Sequence, residues 1–276
     1  MKCDYHVHTY YSDDSVYPME DVVKDAIRLG LSEIAITDHV DYGIKYDWGE
    51  IDPMLYRQNE PLANVNYPAW NAELESLRKK YAGKIKILKG MEFGMQTGTI
   101  DRFETLFHRY DFDFIILSCH QVDNQEFWTG EFQKGRTQEE YNRRYYEEIL
   151  AVMRQYKDYS VLGHLDLIVR YDPAGVYPFE KTEDLVAEIL KQAIRDGKGI
   201  ELNTSSHRYG LKDLQPSRAI LKLYRDLGGT IITIGSDSHK PEHLGAYLDS
   251  AMEELKSLGY REFCTFDHME PTFHPL

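Results

Sequence analysis

The sequence predicts an α/β protein whose strand–helix units close a parallel sheet into a barrel. Three observations carry this. Short β-prone runs alternate with longer helical patterns along the whole chain. The units number seven or eight, and right-handed crossovers repeated that often bring a sheet round on itself. The 276 residues show no shift of composition and no internal repeat, and barrels of this class use about 200–250 residues as one unit. One domain over residues 1–276 is expected.

Cys3–His8 is the first strand, and the helix Met19–Leu29 follows between Pro18 and Gly30. Proline loses nothing at a helix start, where its missing N–H has no helical partner, and glycine accepts the left-handed backbone that ends a helix. Glu33–Thr37 is the second strand. The helix Ala69–Tyr81 stands between Pro68 and Gly83, before the strand Lys84–Met91. Helix Ile100–His108 leads to strand Phe112–Cys119, and helix Gln138–Tyr156 to strand Ser160–Gly163. Helix Glu183–Asp196 opens after Thr182 with two carboxylates, which the helix dipole favours, and stops at Gly197. Strand Gly199–Asn203, helix Ser217–Leu227, strand Thr230–Gly235 and helix Glu242–Leu258 complete the series. Pro216 and Pro241 precede those two helices, and Gly228 and Gly259 follow them. Glu262–Phe266 is a weaker eighth strand. Residues 41–66 and 121–136 are too long for ordinary β–α loops and are expected to wall or cover a site.

Lys and Arg number 32 against 46 Asp and Glu, a net charge of −14. Such a surface repels nucleic-acid backbones and anionic lipid alike, so neither is an expected partner. Apolar runs such as Phe114–Leu117 fall far short of the roughly 18 residues a membrane span needs. Met1-Lys2 passes into Cys3-Asp4-Tyr5-His6 without an apolar leader pattern. Three widely spaced cysteines suit a reducing compartment without disulfides. A cytoplasmic location is expected; the oligomeric state is left open.

The 11 histidines carry the functional signal. In His6-Val7-His8 two imidazoles share one face of a strand, because side chains alternate with period two. Elsewhere an apolar run ends and a metal-competent side chain follows. Ile34–Ile36 precedes Thr37-Asp38-His39, Ile85–Leu88 precedes Gly90-Met91-Glu92, and Phe114–Leu117 precedes Ser118-Cys119-His120. Val161-Leu162 leads to Gly163-His164, and Ile231–Ile234 to Gly235-Ser236-Asp237-Ser238-His239. Strand C-terminal ends meet on one rim of a β/α barrel, so six strands aim imidazole or carboxylate at one place. His108, His243, His268 and His274 lack this placement, and His207 is undecided. Imidazole with carboxylate and no paired cysteines suits Zn, Mn or Fe in a hydrolytic site. The candidates exceed what one ion can use, so two or three ions with a bridging carboxylate are expected. Such a cluster activates water and neutralises a phosphorylated substrate.

In order along nearly the whole chain, these residues resemble the PHP (polymerase and histidinol phosphatase) family. The resemblance implies a distorted, TIM-like (β/α)7 barrel with three divalent ions at its C-terminal rim. It implies as ligands His6, His8, Asp14, His39, Glu92, His120, His164, Asp237 and His239, with Glu92 bridging and Asp13 the alternative to Asp14. Gly163–Arg170 and Glu201–Ser205 are similar to histidinol-phosphate phosphatases, which implies hydrolysis of L-histidinol phosphate in histidine biosynthesis. Glu92, Asp237 and Arg170 would then be catalytic, and Arg170, Arg208 and His207 would meet the substrate, a small phosphorylated metabolite. Ser206-His207-Arg208 departs from those enzymes, which often have Gly after the Ser. Other readings are a phosphatase for phosphotyrosine or another small phosphoester, a nuclease, and an inactive metal scaffold. The acidic charge and the lack of a basic, aromatic-studded tract count against the nuclease, and the full ligand set against the scaffold.

Overall fold

The computed structural model describes residues 1–48, 56–57 and 60–276. Seven parallel strands succeed one another in space as in sequence: β1 Cys3–Val7, β2 Glu33–Ile36, β3 Lys86–Gly94, β4 Phe114–Ser118, β5 Val161–Leu162, β6 Gly199–Asn203 and β7 Ile232–Gly235. The register aligns Ile34 with Ile87, Glu92 with Ile116, Leu117 with Leu162, Leu162 with Ile200, and Asn203 with Gly235. Helices α1 Met19–Arg28, α2 Tyr67–Lys80, α3 Ile100–Phe107, α4 Gln138–Gln155, α5 Glu183–Arg195, α6 Arg218–Asp226 and α7 Leu248–Ser257 connect or follow the strands. The result is a nearly closed, distorted (β/α)7 barrel.

The strands are apolar because both faces are covered. Helix α5 shows the matching pattern: Val186, Ile189, Leu190 and Ala193 recur at helical spacing and are all buried. Closure falls between β7 and β1. The His8 N–H donates to the Ser238 carbonyl at 2.8 Å, and the Ser238 N–H to the His6 carbonyl at 3.1 Å. Beneath this pairing the buried Asp4 carboxylate accepts from the Ser236 N–H at 2.8 Å, the Gly245 N–H at 2.9 Å and the Ser236 hydroxyl. With the His6 N–H, which also donates to it at 3.3 Å, four groups on two sides of the seam are held by one side chain.

The structure departs from the sequence reading in four places. Strand β3 runs on to Gly94, so Glu92 lies within the strand; its far half gains an extra partner in His39–Val40. The eighth strand, β8 Glu262–Asp267, is outside the barrel. It pairs antiparallel with β9 Glu270–Pro275 and packs Phe266 on Tyr5 and Phe114 at the N-terminal end. The helix expected over 242–258 starts only at Leu248. A short turn, Pro241–His243, precedes it, and Gly245 and Tyr247 with φ of 68° and 60° break the helical path between them. Helix α2 begins two residues early, at Tyr67, with Asn66 capping the Ala69 N–H. No helix among the described residues is long and apolar enough to cross a membrane.

Candidate metal centre

The period of two along β1 turns His6 and His8 inward together, and each later strand adds to the same rim. Glu92 is the hub. Its Oε2 lies 2.9 Å from His39 Nδ1, 3.1 Å from His6 Nε2 and 3.5 Å from His8 Nε2. Its Oε1 lies 2.8 Å from His164 Nε2 and 3.1 Å from His120 Nε2, and accepts from the Ser118 hydroxyl at 2.6 Å. Five imidazoles therefore surround one fully buried carboxylate. A second focus is Asp237, whose Oδ1 is 3.4 Å from His239 Nδ1, 3.7 Å from His8 Nε2 and 3.9 Å from His6 Nε2. Its φ of 55° places it in the left-handed region, a strained setting that Asp tolerates better than most residues. Asp14 Oδ2 completes the group, 3.2 Å from His239 Nε2 and 3.6 Å from His39 Nε2.

The rings are turned by partners behind them. His6 Nδ1 meets Glu201 Oε1 at 2.6 Å, His120 Nδ1 meets Asp41 Oδ1 at 2.7 Å, and His8 Nδ1 meets the Ser12 hydroxyl at 3.1 Å. Each contact leaves Nε2 to face the centre, the arrangement that sets tautomer and aim in a metal-binding histidine. Glu201 also accepts from the His164 N–H at 3.0 Å and the Asn203 amide at 3.1 Å. Gly235 makes room for this, since a Cβ there would collide with His6 and with Glu201 Oε1. Lys45, buried, holds Asp13 and Asp41 at 2.7 Å each. That pairing separates the two neighbouring aspartates: Asp13 is tied to Lys45, and Asp14 reaches the histidines.

Electrostatics points the same way. Burial drives the Glu92 carboxyl up, yet the imidazoles of His6, His120 and His39 more than reverse this and hold it well below the usual range. Burial opposes charge on His6, but Glu201, Glu92 and Asp237 carry its pKa well above the ordinary value. Burial and the rings of His239, His39 and His6 push His8 the other way. Among the described residues, His6 Nε2, His8 Nε2, His39 Nδ1 and Glu92 Oε2 are buried without a hydrogen-bond partner, although they stand close together. Buried polar atoms are rarely left so. Four orphaned donor atoms on one point, in triads such as His8–His39–His239, His6–Glu92–His164 and His6–His8–Asp237, fit divalent cations. Replacing His6 and His8 together by Ala is expected to lower bound metal by at least one equivalent in elemental analysis; unchanged content would reject them as ligands.

Above the cluster opens a cavity of about 470 Å³. His39, His120, His164, Asp237 and His239 floor it, and Arg170 and Arg208 line it from the turns after β5 and β6. Arg170 is nearly buried. Its Nε donates to Gln215 Oε1 at 2.7 Å, and its Nη2 donates to the Ser205 hydroxyl and, at 3.2 Å, to Asp237 Oδ2. Arg208 Nη1 donates to the Ser236 carbonyl at 2.8 Å, and its Nη2 lies 3.5 Å from Asp237 Oδ1. The two expected long connections contribute walls: Asp41 and Lys45 from one, Gln121, Glu126 and Trp128 from the other. Residues 49–55 and 58–59 of the first lie outside the described residues.

His207 does not line the cavity. The Thr204–His207 turn points it outward, where it stacks on Tyr247 at 4.2 Å between ring centres. His243, passed over in the sequence, does line it. Glu201 and Asp41 were also missed. The signal for Glu201 was present: with Asn203 it occupies alternate positions of an otherwise apolar strand, so both face inward. Asp41 shares a face with His39 by the same rule.

The PHP domain family model matches residues 4–205. The chain is 30% identical to the histidinol-phosphatase of Lactococcus lactis over 275 residues, covering 98% of this chain and 96% of the relative. It is 27% identical over 258 residues to a probable histidinol-phosphatase of Thermotoga maritima, covering 93% and 92%. Among solved structures, histidinol phosphate phosphatase from Lactococcus lactis, complexed with zinc, L-histidinol and phosphate, superposes with a TM-score of 0.81 at 28% identity, covering 98% of both chains.

Proposed function

This chain belongs to the PHP domain family, and on that premise we propose that it hydrolyses L-histidinol phosphate to L-histidinol and phosphate. The observation that carries the reading is the convergence of two arginines on Asp237 within the cavity floored by the histidine cluster. His6, His8, Asp14, His39, Glu92, His120, His164, Asp237 and His239 would hold three divalent ions, zinc as in the Lactococcus relative or Mn or Fe on the same donors. Bound there, the ions would activate a water for attack on phosphorus and offset charge on the phosphoryl oxygens.

The chain's own side chains supply orientation and charge. Glu92, with imidazoles on both oxygens, ties the ligand positions into one unit. Arg170 and Arg208 present planar N–H forks suited to phosphoryl oxygens, and Asp237 keeps both turned toward the cluster. Glu201 and Asp41 fix the rings of His6 and His120. The connection carrying Gln121 and Trp128 walls one side of the cavity.

A substrate panel tests the reading. With zinc or manganese, kcat/KM on L-histidinol phosphate should exceed that on phosphotyrosine and p-nitrophenyl phosphate by a factor on the order of 10². Single-stranded DNA should remain intact, and chelation should abolish activity. Equal or faster turnover of phosphotyrosine would move the substrate assignment elsewhere, and DNA cleavage would overturn it.

A further inference from the structure

The turn after β5 carries Arg170, and the turn after β6 carries Arg208 and Tyr209. The Arg170 guanidinium lies over the Tyr209 ring at 4.3 Å from its centre, and that of Arg208 lies at 5.4 Å. One aromatic ring thus meets two cations from separate loops. Both guanidiniums also approach the two oxygens of Asp237. Like charges drawn so close repel one another, and a single carboxylate that also faces three imidazoles offsets this only in part. The negative face of an aromatic ring supplies a further attraction. Hydrogen bonds to Gln215, Ser205, Ser236 and Asp237 fix the edges of the guanidiniums. The Tyr209 hydroxyl makes none of these bonds; the ring supports the faces. Tyr209 itself lines the cavity and is about half exposed, so its substitution leaves the core untouched.

We propose that Tyr209 is a positioning residue whose ring holds Arg170 and Arg208 as a pair, so that both guanidiniums reach one phosphate together. The proposal rests on the reading that these arginines meet the phosphate. Its chemistry predicts a ring effect without a hydroxyl effect. It also predicts that the effect passes through the arginines and is seen with inorganic phosphate alone.

The test uses the metal-loaded protein and inorganic phosphate, measured both as a competitive inhibitor and by calorimetric binding. Tyr209→Leu should weaken phosphate binding about three- to thirtyfold, the range of one or two cation–π contacts, and raise KM more than it lowers kcat. Tyr209→Phe should restore the affinity. In an Arg170→Ala background the Tyr209→Leu effect should largely disappear, because coupled residues are not additive. Unaltered phosphate affinity in Tyr209→Leu, or equal losses in the Leu and Phe variants, would overturn the proposal. So would a rise in KM for L-histidinol phosphate with phosphate binding untouched, since the ring would then serve the alcohol portion. If Arg170→Ala alone leaves phosphate affinity unchanged, the underlying phosphate reading fails first; if Arg170→Ala weakens it and Tyr209→Leu does not, only the platform fails.

Discussion

Glu92→Gln is expected to lower turnover on L-histidinol phosphate by a factor on the order of 10³ or more, which corresponds to about 4 kcal/mol of transition-state stabilisation. The carboxylate is within ion-pair reach of five imidazoles, three on one oxygen and two on the other. Gln matches it in shape but has one acceptor oxygen and an NH2 group. Whichever way the amide is turned, two or three ring nitrogens would face a donor where they now face an oxygen, and the negative charge shared by the ligand positions would be gone. Metal content should therefore fall along with activity. The fold should persist, because the β3 backbone pairs with β2 and β4 independently of this side chain. Near-normal turnover with a full complement of metal would remove Glu92 from the centre of the mechanism.

Arg170→Ala is expected to reduce kcat/KM by a factor on the order of 10²–10³, the cost of about 3–4 kcal/mol for losing a charge-assisted contact in a water-poor site. The side chain is only 4% exposed. A solvated loop arginine would pair with Asp166 or Asp172; this one bonds Gln215, Ser205 and Asp237 instead. Asp237 keeps Arg208 and three imidazoles as neighbours after the substitution, so metal content should hold. Arg170→Lys should recover part of the loss, since an ammonium supplies charge without the planar fork. Kinetics of Arg170→Ala matching wild type on L-histidinol phosphate would return this arginine to a structural role.

The barrel was legible because its signals are local. Apolar runs of β-branched residues mark the strands, and Pro and Gly mark helix ends at Pro68, Gly197 and Gly228. Period-two geometry and the rule that strand ends share a rim pointed to every clustered histidine and carboxylate except Asp14, which only the family resemblance supplied. What escaped was set by tertiary contact. The extension of β3 past Met91 depends on His39–Val40 arriving beside it. The break before α7 depends on Tyr247 adopting a left-handed backbone that few large residues accept. His207 and His243 exchanged places relative to expectation, because turn geometry rather than sequence spacing decides which way a loop side chain points. Lys45 gave no sequence signal at all; only the fold shows it between Asp13 and Asp41.

The seam between β1 and β7 sets a time as well as a shape. Asp4 and Ser236 are 232 positions apart, and His6 and His8 wait across nearly the same interval for Asp237 and His239. At the usual pace of protein synthesis, about 5–20 residues per second, the first two histidines emerge roughly 10–50 s before the last two members of the cluster exist. Until then an ion could meet only part of the donor set, and exchange from it would be correspondingly fast. Pairing so distant in sequence is also among the slower steps of folding. Full retention of metal would thus mark a chain that has finished both synthesis and closure.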